Sequence, residues 1–404
     1  MILRMAWRNI WRNKIRSLVI MFSIAAGLLA GIAVLSLYDA MMNSRVRTVI
    51  DMETAHLQVH NTNFKKEYDP EFVIENGNEV LSAMRKLPLV KCASARSVTT
   101  GMLATATGSA GVTIYGIIPV EEYNVSQLKQ KVTHGKLFDT NKKGQVMIGE
   151  KLAVKMKLKP GSKLVLTFTD TSGSLVSAAF RVTALYASNN TPLDERNVYV
   201  QMNDLNELLL TGTSFHEIAL LLYNDHNVSM VQQTMQQQFS SLMIESWKDI
   251  SPETDLMVDT VNQYSYIIMV IIMLALAFGI INTMLMAILE RTHEIGMMMA
   301  LGTGRLKLFF LVLYETLLLT LAGTPVGVLM GWVLTAYFHN KGLNLSYWGK
   351  EMMSNFGFDT VIYPQFPAER LPAVLCIVTV TALVSCLFPA VKALKLQPVE
   401  ALRR

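Results

Sequence analysis

The chain has 404 residues, of which 51% are hydrophobic and 17% are charged, and its formal net charge is +5. Soluble domains average about 25% charged residues, so this composition favours a membrane protein. The basic residues gather beside apolar runs, which is typical of membrane topology and argues against nucleic-acid binding. The three cysteines do not provide a disulfide framework for the polar part of the chain.

The first 16 residues are predicted to form an amphipathic helix in the membrane interface. Arginines recur at every fourth position on one side, and tryptophans lie on the other: Arg4, Arg8, Arg12 and Arg16 against Trp7 and Trp11. Arginines suit lipid headgroups and tryptophans suit the acyl boundary. The alternative is a basic flank that only fixes topology.

Four apolar runs reach the length of about 20 residues that a bilayer core requires. They cover residues 17–38, 264–289, 308–338 and 371–391. Glycines at four-residue spacing are predicted to let neighbouring helices approach closely. These helix-packing residues are Gly27 and Gly31 in the first run, and Gly323, Gly327 and Gly331 in the third.

The polar segment 41–259 alternates strand-like and helix-like patterns. Strands are predicted at 56–60, 111–118, 163–168 and 180–186, and helices at 78–87, 120–131 and 203–210. Asn203 is the expected N-cap of the last helix. The alternation predicts a large α/β (α+β) domain between the first and second spans, built as one or two subdomains.

Basic residues indicate the orientation in the membrane. Segments 1–16, 290–307 and 392–404 contain 5, 3 and 4 Lys or Arg, against 3 in segment 339–370. Positive segments remain in the cytoplasm, so both termini are expected there and the large domain outside. The predicted order is an elbow helix (1–16), a first span (17–40), an extracytoplasmic, periplasmic domain (41–259), a second span (260–289), a cytoplasmic coupling loop (290–307), a third span (308–338), an outer loop (339–370), a fourth span (371–391) and a cytoplasmic tail (392–404).

Residues 290–307 form a charged segment between two spans. Residues 290–301 are predicted to make about three helical turns, ended by Gly302 and Gly304, which lack a Cβ. Such a helix is too polar to cross lipid and too short to fold alone. It must therefore dock on something at the membrane surface, and what it docks on decides the function.

Motifs for catalysis are missing from the sequence. It contains no Gly-x-x-x-x-Gly-Lys-Ser/Thr phosphate loop, no complete His-Glu-x-x-His zinc motif and no Gly-x-Ser-x-Gly nucleophile elbow. An enzyme is therefore not expected, and no metal site is predicted. His56 and His60 would share a strand face and could coordinate a metal, but the sequence places no acidic or cysteine partner with them, so two surface histidines are expected instead. Glu315 lies inside the third span, where an ionisable residue is either functional or a helix-interface carboxylate that pairs with Arg305 or Lys307, and we expect the second.

Three stretches resemble the FtsX-like, MacB-superfamily ABC-transporter permeases. They are Ala6-Trp-Arg-Asn-Ile-Trp-Arg-Asn-Lys-Ile-Arg16, Glu290-Arg-x-x-Glu-Ile-Gly-x-x-x-Ala-Leu-Gly302, and the ending Phe388-Pro-Ala-Val-Lys-Ala-Leu-Lys-Leu-Gln-Pro-Val-Glu-Ala-Leu-Arg403. The order of one span, a large domain and three further spans is also that of the family. Within it, segments 56–60 and 180–186 look most similar to the lipoprotein-releasing (Lol) permeases. Carrier-recruiting Lol members have a long proline-containing hairpin, whereas segment 169–179 is short and lacks proline, so the resemblance does not extend to carrier recruitment.

The resemblance implies a non-catalytic permease subunit in the bacterial inner membrane. Its partners would be a cytoplasmic ABC ATPase that binds ATP and Mg, a second permease of the same or a homologous kind, membrane lipids, a lipoprotein substrate and, in some members, a periplasmic carrier; nucleic acid is not expected. The implied ATPase-coupling residues are Glu290, Arg291, Glu294, Gly296 and Leu301. The implied acyl-chain cavity is lined by Leu28, Leu35, Tyr38, Tyr266, Val270 and Met273. The alternatives are MacB-type export of small molecules or peptides and regulation of a cell-wall hydrolase.

Overall fold

The computed structural model describes residues 2–12, 14–301 and 303–394. The predicted helix break at Gly302, most of the predicted tail and the family-like ending from residue 395 onward lie outside the described residues. The helices are α1 Ile2–Arg12, α2 Lys14–Val49, α3 Phe64–Glu67, α4 Gly77–Arg85, α5 Pro119–Val125, α6 Glu150–Lys155, α7 Thr191–Arg196, α8 Met202–Leu209, α9 Val228–Gln238, α10 Trp247–Ile250, α11 Pro252–Glu290, α12 Thr292–Ala300, α13 Arg305–Lys341, α14 Lys350–Asn355 and α15 Leu371–Leu394. The strands are β1 Leu57–Asn61, β2 Val90–Thr105, β3 Gly108–Ile117, β4 Val132–Gly135, β5 Gln145–Gly149, β6 Lys163–Thr169, β7 Leu175–Tyr186, β8 Asn197–Gln201, β9 Glu217–Leu222, β10 Leu242–Ser246, β11 Leu343–Asn344 and β12 Val361–Ile362.

The chain folds as two units. The first, here called the helical unit, comprises residues 1–42, 258–343 and 361–404, and the second, the sheet domain, comprises residues 43–257 and 344–360. Four helices in the described part of the chain, α2, α11, α13 and α15, are long and apolar enough to cross a membrane. The predicted fold class is therefore confirmed: a four-span membrane protein with an α/β domain after the first span.

The spanning helices are longer than their apolar runs. The first run ends at residue 38, but α2 continues to Val49, and α11 begins at Pro252, twelve residues before the second run. Polar residues at helix ends retain the helical hydrogen bonds although they leave the hydrocarbon, because helix formation adds one bond for each residue. Hydropathy thus located the spans and missed their extensions.

Close contacts between α2 and its neighbours hold the helical unit together. A Cβ on Gly323 would lie 2.9 Å from Met21 O, and a Cβ on Gly327 would lie 2.8 Å from Leu28 Cβ. This side of α13 therefore packs directly on α2. Gly27 and Gly31 lie on another side of α2, where the nearest side chains, Leu276 and Met269, belong to α11. Small residues let the two backbones approach, which increases van der Waals contact where no hydrophobic driving force operates.

An arginine that the sequence analysis did not single out joins three helices of the same unit. Arg370 precedes α15 and contacts Asp39 Oδ1 of α2 at 3.1 Å and Asn262 Oδ1 of α11 at 3.1 Å. Charge-assisted bonds of this kind are stronger than neutral ones. They link α2 and α11 to the start of α15.

The sheet domain contains one ten-stranded mixed sheet in the order β10-β1-β9-β2-β3-β8-β5-β7-β4, with β6 paired to β2 and β7. The two largest hydrophobic cores of the domain form on this sheet. One gathers around β5, β6, β7 and β8, and the other around β1, β9 and β10 with α4 and α9. The two predicted subdomains are therefore two cores that share one continuous sheet.

Part of the predicted outer loop belongs to the sheet domain. Asn189 Nδ2 donates to Asp359 Oδ1 at 2.6 Å, and Ser44 Oγ donates to Asp359 Oδ2 at 3.3 Å. Thr191 and Ser354 hydroxyls are 3.0 Å apart. These bonds attach segment 344–360 to the domain, although the sequence suggested a separate loop.

Two local predictions in this domain were wrong. The helix expected over 120–131 ends at Val125, because the next residue, Ser126, has extended backbone angles. The N–H of Ser126 donates to the carbonyl of Glu122 and caps the helix. The helix expected to be capped by Asn203 begins at Met202, and its N-cap is Gln201, the last residue of β8. The strand therefore continues directly into the helix, and the Gln201 side chain makes no capping hydrogen bond.

Candidate functional site

The charged segment between the second and third spans forms a short separate helix. α11 ends at Glu290, α12 covers Thr292–Ala300 and α13 begins at Arg305. Thr292 Oγ1 donates to the carbonyls of Ile288 and Leu289, so it closes the end of α11. The extended backbone of Gly304 (ψ 147°) then redirects the chain into α13. The predicted helix over 290–301 is thus shorter, with Arg291 at the junction.

One side of α12 packs into the helical unit. Ile295 and Gly296 are buried, and Ile295 contacts a cluster formed by Ile288, Leu308 and Ala393 from the three neighbouring helices. Gly296 lies next to Ile295 in the packed side of α12. Contacts on this side hold α12 against the neighbouring helices, so this side cannot bind a partner protein.

Arginines from the N-terminal region bind both acidic residues of the segment. Arg12 of α1 pairs with Glu294 Oε2, and Arg16 at the start of α2 pairs with Glu290 Oε2. Arg291 Nε also donates to Glu294 Oε2 at 3.1 Å. The hydrogen bond from Arg12 lowers the pKa of Glu294, so this carboxylate is ionised at neutral pH. The sequence analysis did not find Arg12 and Arg16 as partners of this segment.

The pairing expected for Glu315 was wrong. Its Oε2 lies 3.4 Å from Arg291 Nη1, and both side chains are 13% exposed. Arg305 and Lys307, the predicted partners, are exposed. Arg291 can reach Glu315 because it stands at the junction of α11 and α12, where the chain turns back along α13.

The outer side of the segment is apolar and basic. Leu301 is 87% exposed, Leu306 is 73% exposed and Met297 is 45% exposed, with Arg305 and Lys307 beside them in the sequence. Of the five residues predicted to couple to an ATPase, Glu290, Arg291 and Glu294 are held by ion pairs and Gly296 is buried. Leu301 is the most exposed of the five, and the paired side chains of Glu290 and Glu294 are 47% and 40% exposed.

The six residues predicted to line an acyl-chain cavity do not share one surface. Leu28, Leu35 and Met273 are buried among helices of this chain, with exposures of 0%, 4% and 4%. Helix packing within the chain covers these three side chains, and their place in a cavity stays a prediction. Tyr38 is half-buried. Tyr266 and Val270 are exposed on α11, at 58% and 57%, and for them the assignment stays a prediction.

The two histidines predicted to share a strand face are buried and have different acidic neighbours. β1 begins at Leu57, so His56 lies just before it. His56 Nε2 is 2.7 Å from Asp225 Oδ1, and His60 Nε2 is 2.9 Å from Glu245 Oε2. The expectation of surface histidines was thus wrong. Among the described residues, no group of three or more His, Cys, Asp or Glu is placed to hold a metal ion.

The β6–β7 hairpin is short and well ordered by hydrogen bonds. Residues 170–174 connect the strands, and Asp170 Oδ1 accepts from the backbone N–H of Ser172 and of Ser174, each at 2.9 Å. An aspartate that closes a turn in this way stabilises it locally. The chain has no extended hook at this position.

Two family descriptions match the chain. "MacB-like periplasmic core domain" covers residues 17–238, and "FtsX-like permease C-terminal" covers residues 266–398. The lipoprotein-releasing system transmembrane protein LolC of Neisseria meningitidis is 25% identical over 320 residues, which are 75% of this chain and 75% of that protein. The macrolide export ATP-binding/permease protein MacB of Escherichia coli is 22% identical over 426 residues, covering 100% of this chain and 60% of that protein. The crystal structure of the periplasmic region of MacB from Actinobacillus actinomycetemcomitans matches with a TM-score of 0.37 and 13% identity, over 53% of this chain and 97% of that one.

Proposed function

Because the chain belongs to the FtsX-like ABC-transporter permeases with a MacB-type core domain, we propose that it is the membrane subunit of a machine that extracts lipoproteins from the bacterial inner membrane. The observation that carries this proposal is the match to a lipoprotein-releasing subunit over three-quarters of both chains, 75% and 75%. Both termini and α12 lie in the cytoplasm, and the sheet domain lies outside.

Energy comes from a separate ABC ATPase that binds ATP and Mg, since the chain lacks a phosphate loop. The ATPase docks on the exposed side of α12 and the residues after it, which we call the docking face: Met297, Leu301, Arg305, Leu306 and Lys307. This face combines open apolar side chains with two positive charges. It suits an apolar hollow with an acidic rim, because interface cores exclude water while charges at the rim steer association.

The substrate contacts the exposed side of α11. Tyr266 and Val270 lie among uncharged apolar side chains there, including Ile271 and Leu274, which are 59% and 56% exposed. Sheltering an acyl chain is favourable by about 0.8 kcal/mol for each CH₂ removed from water. A second permease, facing this side, would complete an enclosed path for the acyl chains.

Photo-crosslinking tests the substrate assignment. A photoreactive amino acid is placed at Tyr266 or Val270 in the full-length chain, in cells that express the ATPase. The matched control is Leu329 of α13, which is equally exposed at 59%. We expect lipoprotein adducts at both α11 positions and phospholipid adducts alone at Leu329. Adducts at the α11 positions should decrease when ATP is turned over.

Export in the manner of MacB is the second candidate, favoured by the match of a MacB protein across 100% of this chain. Under that function, a strain lacking the protein would sort lipoproteins normally, and the α11 positions would crosslink only phospholipid or a small exported molecule. That outcome would contradict lipoprotein extraction. The short β6–β7 hairpin supports no recruitment of a periplasmic carrier by this chain.

A further inference from the structure

Six charged side chains in the helical unit, here called the ladder, form a chain of four and a separate pair: Arg12, Glu294, Arg291 and Glu315 in the chain, and Arg16 with Glu290 in the pair. It contains three arginines and three glutamates. Arg12 pairs with Glu294, Glu294 with Arg291 at 3.1 Å, and Arg291 with Glu315 at 3.4 Å, while Arg16 pairs with Glu290. The ladder connects α1, the start of α2, both ends of the α11–α12 junction, and α13.

Glu294 is the central member of the ladder. It is the only carboxylate of α12, and its Oε2 atom accepts from two arginines that belong to different elements. A partner protein could bind this oxygen only by displacing charge-assisted bonds that already exist. This oxygen is therefore occupied within the chain, although the sequence position of Glu294 suggested an ATPase contact.

Arg12 lies on an amphipathic helix whose exposed surface is aromatic. Trp7 and Trp11 are 52% and 58% exposed, and their ring centroids are 6.0 Å apart, while Ala6 and Ile10 are buried. Tryptophans exposed in this way hold a helix at a membrane interface. Through Arg12, α12 is thus bonded to a helix that lies along the membrane, in addition to its packing on the spans.

We propose that the ladder positions α12, so that Arg12 and Arg291 act as positioning residues for the docking face and Glu294 does not contact the ATPase. This inference rests on the proposed function of α12 as the docking element. Displacement of α12 by the ATPase then reaches α1 through Arg12 and α13 through Arg291. The acidic residues orient the helix, and the apolar and basic face binds the partner.

A double-mutant cycle between Arg12 and Glu294 tests the proposal. The full-length chain in nanodiscs is titrated with the ABC ATPase that co-purifies with it, for wild type, Arg12→Gln, Glu294→Gln and the double variant. Arg8→Gln is the matched control, since Arg8 is an exposed arginine of the same helix. Thermal stability is measured for every variant, so that loss of folding is separated from loss of affinity.

We expect Arg12→Gln to weaken ATPase binding by about two- to five-fold, the effect of losing one exposed ion pair. It should weaken binding no further when Glu294 is already Gln, and Arg12→Lys should retain most of the affinity. Arg8→Gln should not change it. Equal losses from Arg12→Gln in both backgrounds would overturn the ladder. A loss from Glu294→Gln without any loss from Arg12→Gln would also overturn it, because Glu294 would then act without Arg12.

A variant of the docking face distinguishes this inference from the proposed function. Leu301→Ser removes an 87%-exposed apolar side chain and leaves the ladder intact. If Leu301→Ser weakens binding and the cycle shows no coupling, the ladder is wrong and the docking function stands. If Leu301→Ser leaves binding unchanged, α12 is not the docking element, and both proposals fail.

Discussion

The close approach of α13 to α2 predicts that alanine at Gly327 destabilises the protein. A Cβ at this position would lie 2.8 Å from Leu28 Cβ and 2.9 Å from both Cα and O of Ala25. Three of the nearest atoms are thus backbone or Cβ atoms, which cannot move away by changing a rotamer. The two helices must separate or tilt to admit a single methyl group.

The size of the effect follows from these distances. Optimal contacts between carbon atoms are about 3.5–4.0 Å, so the helices must separate locally by about 0.7–1.2 Å. Inserting one methylene-sized group into a packed interior costs typically about 1–3 kcal/mol. Replacing glycine by alanine within a helix favours the folded state by up to about 1 kcal/mol. Gly279 of α11 supplies a control for this second effect, because nothing lies within 4 Å of a Cβ placed there.

We therefore expect Gly327→Ala to be less stable than Gly279→Ala by about 1–3 kcal/mol. Gly27→Ala should fall between them, since its nearest atoms, at 3.2 Å, are methyl carbons of the flexible Leu276 side chain. Thermal and denaturant-induced unfolding of the full-length chain in nanodiscs would measure the series. Equal stability of the Gly327 and Gly279 variants would refute direct packing of α13 on α2.

Three further predictions concern the sheet domain and the topology. Arg96 is buried and donates three hydrogen bonds to two buried carboxylates at 2.7–2.9 Å, so Arg96→Met should lower the free energy of unfolding by about 3–5 kcal/mol. The control Lys143→Met breaks an exposed ion pair and should leave the melting temperature unchanged. Equal effects of the two substitutions would contradict the burial argument. Burial raises the pKa of Asp194 to about 6, so the folded state binds the carboxyl proton more tightly than the unfolded state does. The free energy of unfolding of wild type relative to Asp194→Asn should therefore fall as pH rises from about 4 to about 6. Unfolding free energies that change in parallel with pH in the two proteins would contradict this prediction. In a background without reactive native cysteines, Ser172→Cys should react with a membrane-impermeant thiol reagent in intact spheroplasts and Thr303→Cys should not, and the reverse labelling would invert the orientation.

The four spans could be predicted from sequence because their signal is local. Each apolar run is long enough by itself to cross a bilayer, and glycines at i+4 lie on one side of a helix whatever its partner. The sequence does not say which helix packs on that side. The structure assigns Gly323 and Gly327 to α2 and Gly27 to α11, which depends on contacts between distant segments.

The longest strand was missed for a physical reason. β2 covers Val90–Thr105 and is rich in Ala, Ser, Thr and Gly, without the apolar alternation of a half-buried strand. It is nevertheless buried along most of its length, because its polar groups find partners within the domain. Ser97 Oγ, for example, donates to Asn206 Oδ1 at 2.5 Å. A polar residue whose partner is more than one hundred positions away gives no periodic signal.

The sequence points to the segment between the second and third spans as the candidate site, and the structure adds which partners its side chains contact. Sequence shows a charged helix between two spans, and it shows arginines near the N-terminus. Arg12 and Glu294 are 282 positions apart, and no spacing rule connects them. The exposed acidic motif was therefore interpreted as a contact for the ATPase, whereas the structure uses it to bind α1.

Lipoprotein release from a reconstituted membrane tests the central claim most directly. The full-length chain is placed in proteoliposomes with its co-purifying ATPase, any partner permease and an acylated lipoprotein, and transfer to an added soluble acyl-binding acceptor is followed over time. The account predicts transfer that requires ATP hydrolysis and that falls when Leu301 is replaced by Ser. ATP hydrolysis at the normal rate with the lipoprotein retained in the liposomes would contradict it.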